Sequence, residues 1–313
     1  MAEPAQAGTS LSVVVPVYNS EGSLEDLIAR LESVLPGLTS SFEAVLVNDG
    51  SRDRSWEVIS KLCARRPWLK GINLLRNYGQ HNALLCGIRA TRHELIVTMD
   101  DDLQHPPEEI PKLLGKLGEG YDVVYGSPQK EQHGFFRDFA SWATKVALQG
   151  VMGAETARKV SAFRVFRAHL RDAFATYGSP NVCIDVLLTW GTPRFNWTPV
   201  RHEPRRVGVS NYDFYRLFTH AMNMLTGFST LPLQLASLMG FGLALFGALV
   251  LVFVLGRLLI TGTSVPGFPF LASIISIFSG AQLLCLGIIG EYLARMHFRT
   301  MGRPAYVVRQ QIG

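Results

Sequence analysis

The 313-residue sequence predicts an α/β domain with a mostly parallel sheet, then an amphipathic helix and a C-terminal two-helix transmembrane hairpin. Three observations carry this expectation. Short apolar strands alternate four times with helical segments before residue 103. Turn residues stand at the C-terminal ends of those strands, as they do in sheets covered by helices on both faces. Two long stretches near the C-terminus are almost free of charge.

The elements follow in order. "LSVVVPVY" is a β-branched strand ended by Asn19. In the next segment Leu24, Leu27, Ile28, Leu31, Val34 and Leu35 recur at helical spacing. "FEAVLVNDGS" is a second strand that breaks at Asn48–Gly50, and "DRSWEVISKLCARR" is helical. "LKGINLLRN" supplies a third strand, "GQHNALLCGIRAT" a helix and "ELIVTMD" a fourth strand. Ligands of such sheets bind beyond the C-terminal strand ends, where Asp49 and Asp100–Asp102 fall.

Residues 231–260, "LPLQLASLMGFGLALFGALVLVFVLGRLLI", and 268–290, "FPFLASIISIFSGAQLLCLGIIG", are each long enough to cross a hydrocarbon core. The short polar link 261–267 joins them as an antiparallel hairpin. Glycines 240, 242, 247, 280 and 290 would allow close helix approach, within the hairpin or in an oligomer. Arg201, Arg205, Arg206 and Arg216 precede the first helix, and Arg295, Arg299, Arg303 and Arg309 follow the second. Positive-inside logic therefore expects both termini in the cytoplasm. Phe214, Leu217, Phe218, Ala221, Met222 and Leu225 give segment 211–230 an apolar face. That face lies along a membrane surface or packs on the preceding domain. The expected division is a cytoplasmic domain 1–210, the amphipathic segment, the hairpin 231–291 and a basic cytoplasmic tail 292–313.

Composition excludes little more. The net charge of +5 would suit anionic lipid or an anionic substrate. Cys63, Cys86, Cys183 and Cys285 are widely spaced and read as reduced thiols. "MAEPAQAGTS" has no secretory-signal pattern. A GxGxxG after the first strand and a P-loop are both missing, which disfavours nicotinamide and P-loop sites.

The acidic run in "VTMDDDLQHPPEEIP" has two readings. In an extended segment Asp100 and Asp102 share a face and could reach one hard cation, Mg²⁺ or Mn²⁺. The alternative is an acidic turn capping the helix begun by "PPEEIPKLLGKL".

"VVVPVYNSEGSLEDLI", "VLVNDGSRDRS", "LLRNYGQHNALLCGI", "TMDDDLQHPPEEIP" and "GYDVVYG" together resemble the GT-A glycosyltransferases of family 2. More closely, the chain is similar to polyprenyl-phosphate glycosyltransferases, from Val13 to the tail "GRPAYVVRQQ". These include dolichyl-phosphate mannose synthase, bactoprenol glucosyltransferases and undecaprenyl-phosphate formamido-arabinose transferases. The resemblance implies a GT-A nucleotide-sugar-binding domain and inverting transfer from a nucleotide sugar to polyprenyl phosphate, with Mg²⁺ or Mn²⁺. It implies a UDP-sugar in preference to a GDP-sugar, a bacterial inner-membrane location, membrane lipid and a homo-oligomer as partners, and no nucleic acid. "RNYGQHNA" and the tail are most similar to the arabinose-type transferases.

The same resemblance implies roles residue by residue. Pro16, Tyr18 and Glu21 match the first nucleotide loop, and Asp49 the Asp that reads the base. Asn77, Gly79 and Gln80 match a loop near the donor, and Asp101 joins the nucleotide set. Asp100 and Asp102 match the ends of a DxD motif, with Asp102 and Gln104 as metal contacts. Ser161, Phe163 and Arg164 match a segment near sugar and acceptor, while Arg205, Gly208 and Ser210 resemble a later basic segment. Arg137, Lys145, Arg205 and Arg206 are candidates for the acceptor phosphate. Asp185 caps a helix, pairs with an Arg or contacts sugar hydroxyls, and with Asp100, Asp102 and Arg164 it makes up the expected catalytic set. Trp190 and Trp197 stack on a sugar or belong to the core.

Two departures stand out. Pro128 sits near the position of a common Arg after "YG", leaving Lys130 or Arg137 to supply charge, and Asn211 replaces a Lys. Two rivals to this reading are a processive polysaccharide synthase and a non-catalytic membrane sugar-binding protein. The single hairpin and the missing "QxxRW" weigh against the first, the intact acidic strand end against the second.

Overall fold

The computed structural model describes residues 10–128, 156, 157, 159–203, 231–261 and 267–313. They divide into two units, one of residues up to Phe218 together with Gly302–Gly313, the other Thr219–Met301.

In the first unit, strands β1 (Leu11–Val17), β2 (Phe42–Asn48), β3 (Leu69–Leu74) and β4 (Leu95–Thr98) lie parallel in the order β4-β1-β2-β3. The alternation on β1 explains the layers. Val13, Val15 and Val17 join the large core with Leu24, Leu27, Ile28 and Leu31 of helix α1 (Leu24–Val34). Ile59 and Leu62 of α2 (Ser55–Arg65) enter the same core. Val14 points the other way, beneath α3 (Gln80–Ala90). There a Cβ on Gly87 would stand 2.4 Å from Val14, so the bare glycine lets α3 sit against the sheet. Each apolar side chain buried this fully contributes roughly 1.5–3 kcal/mol.

The rest of the sheet is mixed. After α4 (Ile110–Gly118) come β5 (Val123–Pro128), β6 (Arg164–Arg167), α5 (Ile184–Thr189) and β7 (Phe195–Val200). β6 runs antiparallel to both β4 and β5, and β7 pairs parallel with β5. Ile110, Leu113 and Leu117 of α4 fill the core face.

The stretch expected as a basic tail is divided. Its first part continues a helix, and β8 (Val308–Ile312) pairs antiparallel with β3 at the sheet edge. The Leu75 N–H donates to the Val307 carbonyl at 2.9 Å. An otherwise open β3 edge is thereby closed. The free thiols agree with the reduced reading, and burial pushes Cys86 and Cys183 up to about 12.

The second unit holds helices α6 (Leu231–Thr261) and α7 (Phe268–Thr300), which pack on each other. Their apolar spans, Pro232–Arg257 and Ile277–Ala294, are long and apolar enough to cross a membrane. Gly247 meets the Phe278 ring, whereas Gly240, Gly242, Gly280 and Gly290 face open space. The amphipathic segment 211–230 lies outside the described residues.

Candidate functional site

The loops after all four parallel strands converge on one cleft of ≈ 260 Å³. Pro16, Val17 and Tyr18 come from the end of β1, Asp49 from the end of β2, Asn77 and Gly79 from the β3–α3 loop, and Gln80 from the start of α3. Asp100, Asp101 and Asp102 come from the turn after β4. Among the described residues the lining thus has four carboxylates and neither Lys nor Arg.

Local rules explain the loop shapes. Gly50 has φ +65°, and a Cβ there would stand 2.4 Å from the Arg76 backbone. Only glycine lets the β2 and β3 loops approach this closely. Asp49 locks the same contact. Its carboxylate accepts the backbone N–H of Tyr78 at 2.7 Å and of Gly79 at 2.8 Å. Burial pushes the Asp49 carboxyl upward against those two donors. Asp49 therefore shapes the β3–α3 loop, whatever else it meets.

The acidic run is a turn, because β4 ends at Thr98, before the carboxylates. The extended geometry expected for Asp100 and Asp102 is replaced, yet both side chains line the cleft. Asp100 accepts from Gln80 Nε2 at 2.5 Å, and Asp102 accepts the Gln104 N–H at 3.1 Å. Asp101 accepts the Tyr18 N–H at 3.3 Å. Burial pushes Asp101 up to about 6, against donors from Ser20 and Tyr18 and aided by repulsion from Asp102. The helix-capping alternative finds no support, since the cap positions of the following helical turns are Pro106 and Glu109 and not an aspartate of the run. Hard oxygen donors around an anionic cleft fit a divalent cation of the Mg²⁺ or Mn²⁺ kind.

Other expected residues lie elsewhere. Glu21 is outside the cleft lining; its carboxylate accepts the Arg54 N–H at 2.9 Å, and its own N–H donates to Asp53. Asn19, Ser20 and Glu21 are thus clasped to Ser51, Ser55 and Asp53 of the next loop. Gln104 is also outside the lining, directly after the acidic turn. Ser161 bonds the Gly126 carbonyl at 2.6 Å, and Phe163 is fully buried.

Arg164 and Asp185, expected as catalytic, are interior groups. Arg164 is 1% exposed and pairs with Asp185 through Nη1. Its Nε donates to Thr98 Oγ1 at 2.9 Å, and Tyr125 donates to Asp185 at 3.0 Å. Burial, then Asp185, push the Tyr125 phenol upward, so it stays a donor. Of the readings for Asp185, pairing with an Arg is the one observed. His81 and Cys183 offer ligand atoms that lie with an Asp185 oxygen within 4.8 Å of one another. Arg164 already neutralises that carboxylate, and burial holds Cys183 protonated, so the trio reads as packing. Trp190 is half exposed against Tyr177, and Lys159 lies over the Trp197 ring.

Arg137, Lys145, Arg205 and Arg206, with Lys130, Gly208, Ser210 and Asn211, lie outside the described residues. One residue the sequence reading passed over is Asn82. It is buried and its amide donates to the Pro180 and Ala305 carbonyls, tying α3 to the C-terminal segment. A polar residue within the apolar "NALLCGI" was the available signal.

Comparison with known proteins now bears on this arrangement. The family model described as "Glycosyl transferase family 2" matches residues 12–177. The undecaprenyl-phosphate 4-deoxy-4-formamido-L-arabinose transferase of Shewanella sediminis is 36% identical over 96% of this chain and 91% of its own. That of Pseudomonas aeruginosa is 36% identical over 96% and 90%. Among solved structures, glucosyl-3-phosphoglycerate synthase from Mycobacterium tuberculosis, in complex with Mn²⁺, UDP and glucosyl-3-phosphoglycerate, superposes with a TM-score of 0.54. It is 18% identical over 71% of this chain and 79% of that one, a likeness of fold. Sequence and fold agree that the chain belongs to glycosyltransferase family 2, as a relative of the undecaprenyl-phosphate 4-deoxy-4-formamido-L-arabinose transferases.

Proposed function

We propose that the chain moves a sugar from a nucleotide-sugar donor to undecaprenyl phosphate, with inversion at the anomeric carbon. The observation that carries this is the cleft's charge. Among the described residues four carboxylates and no basic side chain line it, so a cation bound there would favour an anionic diphosphate. Asp102, Asp100 and, after side-chain rotation, Gln104 are the groups that would hold it. Bound there, a divalent ion supplies positive charge for the departing diphosphate. UDP is the favoured carrier; a UDP-bound relative in fold supports it.

In the reaction, an acceptor phosphate oxygen forms a bond to the anomeric carbon while the bond to the nucleotide diphosphate breaks. That phosphate is already anionic, so a strong general base is unnecessary. The chain's own work is orientation. Asp49 and Gln80 fix the donor loop and Asp100, while the Tyr18 N–H fixes Asp101. Arg205, Arg206, Arg137 and Lys145 are proposed to meet the acceptor phosphate, with Arg164 and Asp185 supporting the site from within. The catalytic domain 1–210 and both termini are assigned to the cytoplasm, the hairpin 231–291 to the inner membrane, and the assembly to a homo-oligomer. A panel of nucleotide sugars with undecaprenyl phosphate, read by mass spectrometry of the lipid, tests the reading. A lipid-linked sugar from a UDP donor is expected; turnover of donor without any lipid product would reject it.

A further inference from the structure

The chain leaving β7 is strapped to the turn that carries Asp102. The Glu203 N–H donates to the Gln104 carbonyl at 2.8 Å. Arg201 Nε bonds Glu109 at 2.7 Å. Arg30, on α1, bridges Glu203 at 3.1 Å and Glu108 at 3.0 Å. The His202 ring meets His105 with centroids 5.0 Å apart. All but one of these contacts join residues 201–203 to residues 104–109 or to α1; the Arg30–Glu108 pair joins α1 to the 104–109 segment.

The turn so held is strained. Leu103 has φ +61°, a left-handed conformation that a branched apolar residue adopts at a cost of order 1–3 kcal/mol. Its side chain is 3% exposed, and Asp102 closes the turn onto the Gln104 N–H. The Gln104 carbonyl, the other end of that turn, is the group Glu203 grips.

Stability does not account for the strap. The two Arg30 pairs, to Glu108 and Glu203, are partly solvated, and such pairs contribute little. Arg30 Nη1 and Glu108 Oε2 are buried without a hydrogen-bond partner among the described residues, which is unfavourable. A network that stabilises weakly but fixes several directions at once suits a placing role.

We propose that Arg30 and Glu203 are positioning residues that hold the Asp102–Gln104 turn in its cation-binding shape. The inference rests on the proposed cation site. With the strap released, the turn relaxes towards ordinary backbone and the carboxylates lose their preset arrangement.

The test uses the full-length protein in detergent with UDP and measures Mn²⁺ binding by electron paramagnetic resonance. Glu203→Gln keeps the volume and removes the charge; Arg30→Ala removes the bridge. Each is expected to weaken Mn²⁺ about tenfold, with the double variant no worse than the weaker single. Glu203→Asp, which restores the charge, is expected to recover part of the loss. Unchanged Mn²⁺ affinity in Glu203→Gln would overturn the inference, as would losses that multiply in the double variant. Asp102→Ala separates the two levels. If it abolishes Mn²⁺ binding while Glu203→Gln leaves it intact, the cation site stands and the strap falls. If Asp102→Ala binds Mn²⁺ normally, the cation site itself is misplaced and the strap inference falls with it.

Discussion

At the scale of single residues, the same side-chain type has three different fates in this domain. Asp102 faces the cleft, Asp49 lines it while also holding two backbone donors, and Asp185 is locked to a buried guanidinium. Substitution separates them. Asp102→Ala is expected to reduce lipid-linked product at least about 10²-fold with the fold intact, the scale of losing a major electrostatic contact in the transition state. Near-normal turnover at saturating metal would reject that role. Asp49→Ala removes the acceptor for Tyr78 and Gly79, so nucleotide affinity should fall as the loop loosens. Calorimetry with free nucleotide decides it, and an unchanged dissociation constant would show the loop needs no such anchor. Asp185→Ala leaves Arg164 charged and buried without its partner, a change that costs about 3–5 kcal/mol. A lowered thermal transition is the expected result; lost transfer with unchanged melting would instead make Asp185 a reacting group.

At the scale of elements, one buried carboxylate ties the sheet together. Glu43 on β2 accepts from Lys70 on β3 at 2.5 Å, from Ser12 on β1 at 2.7 Å and from the Arg92 N–H at 2.7 Å. Burial opposes its ionisation, but these donors outweigh burial and hold Glu43 below its ordinary value of 4.5. A depressed folded pKa means stability that is present above the unfolded value and lost as the pH falls through the folded one. Glu43→Gln should therefore be less stable at neutral pH and should lose less on acidification below about pH 4.5. Tryptophan fluorescence during unfolding at a series of pH values checks this; parallel pH profiles for both proteins would refute it. Much at this scale was legible beforehand. Short apolar runs and strand-end turn residues mark β1 to β4, because a parallel sheet covered on both faces buries both sides of each strand. β8 was not legible as part of the domain. "VRQQI" is exposed and polar, and only the distant β3 edge makes it a strand. The interior fate of Arg164 was hidden for the same reason: its partners are 21 and 66 residues away.

At the scale of the whole molecule, the closing strand constrains topology more firmly than the arginine count does. The chain leaves the first unit after Phe218 and returns to it at Gly302, with two apolar helices between. A domain that receives its own chain back must have both ends of the insert on its side. If α6 and α7 each cross the bilayer, an even number of crossings satisfies this, and the link between them lies on the far face. Length permits the crossing, since the 26 residues of Pro232–Arg257 span about 39 Å as a helix, more than a hydrocarbon core of about 30 Å. The same return implies that simple truncation before the hairpin would also strip β8 and the Ala305 partner of Asn82. Loss of activity in such a truncation would report damage to the sheet as much as loss of the membrane. Topology is better tested with the chain whole. In a background with the four native cysteines changed to Ser or Ala, Thr263→Cys should react with a membrane-impermeant maleimide added to intact spheroplasts. A cysteine at the exposed Arg303 should react only after lysis. Labelling of both from outside would place the catalytic domain on the wrong face for a cytoplasmic donor, and labelling of neither before lysis would mean the hairpin does not cross.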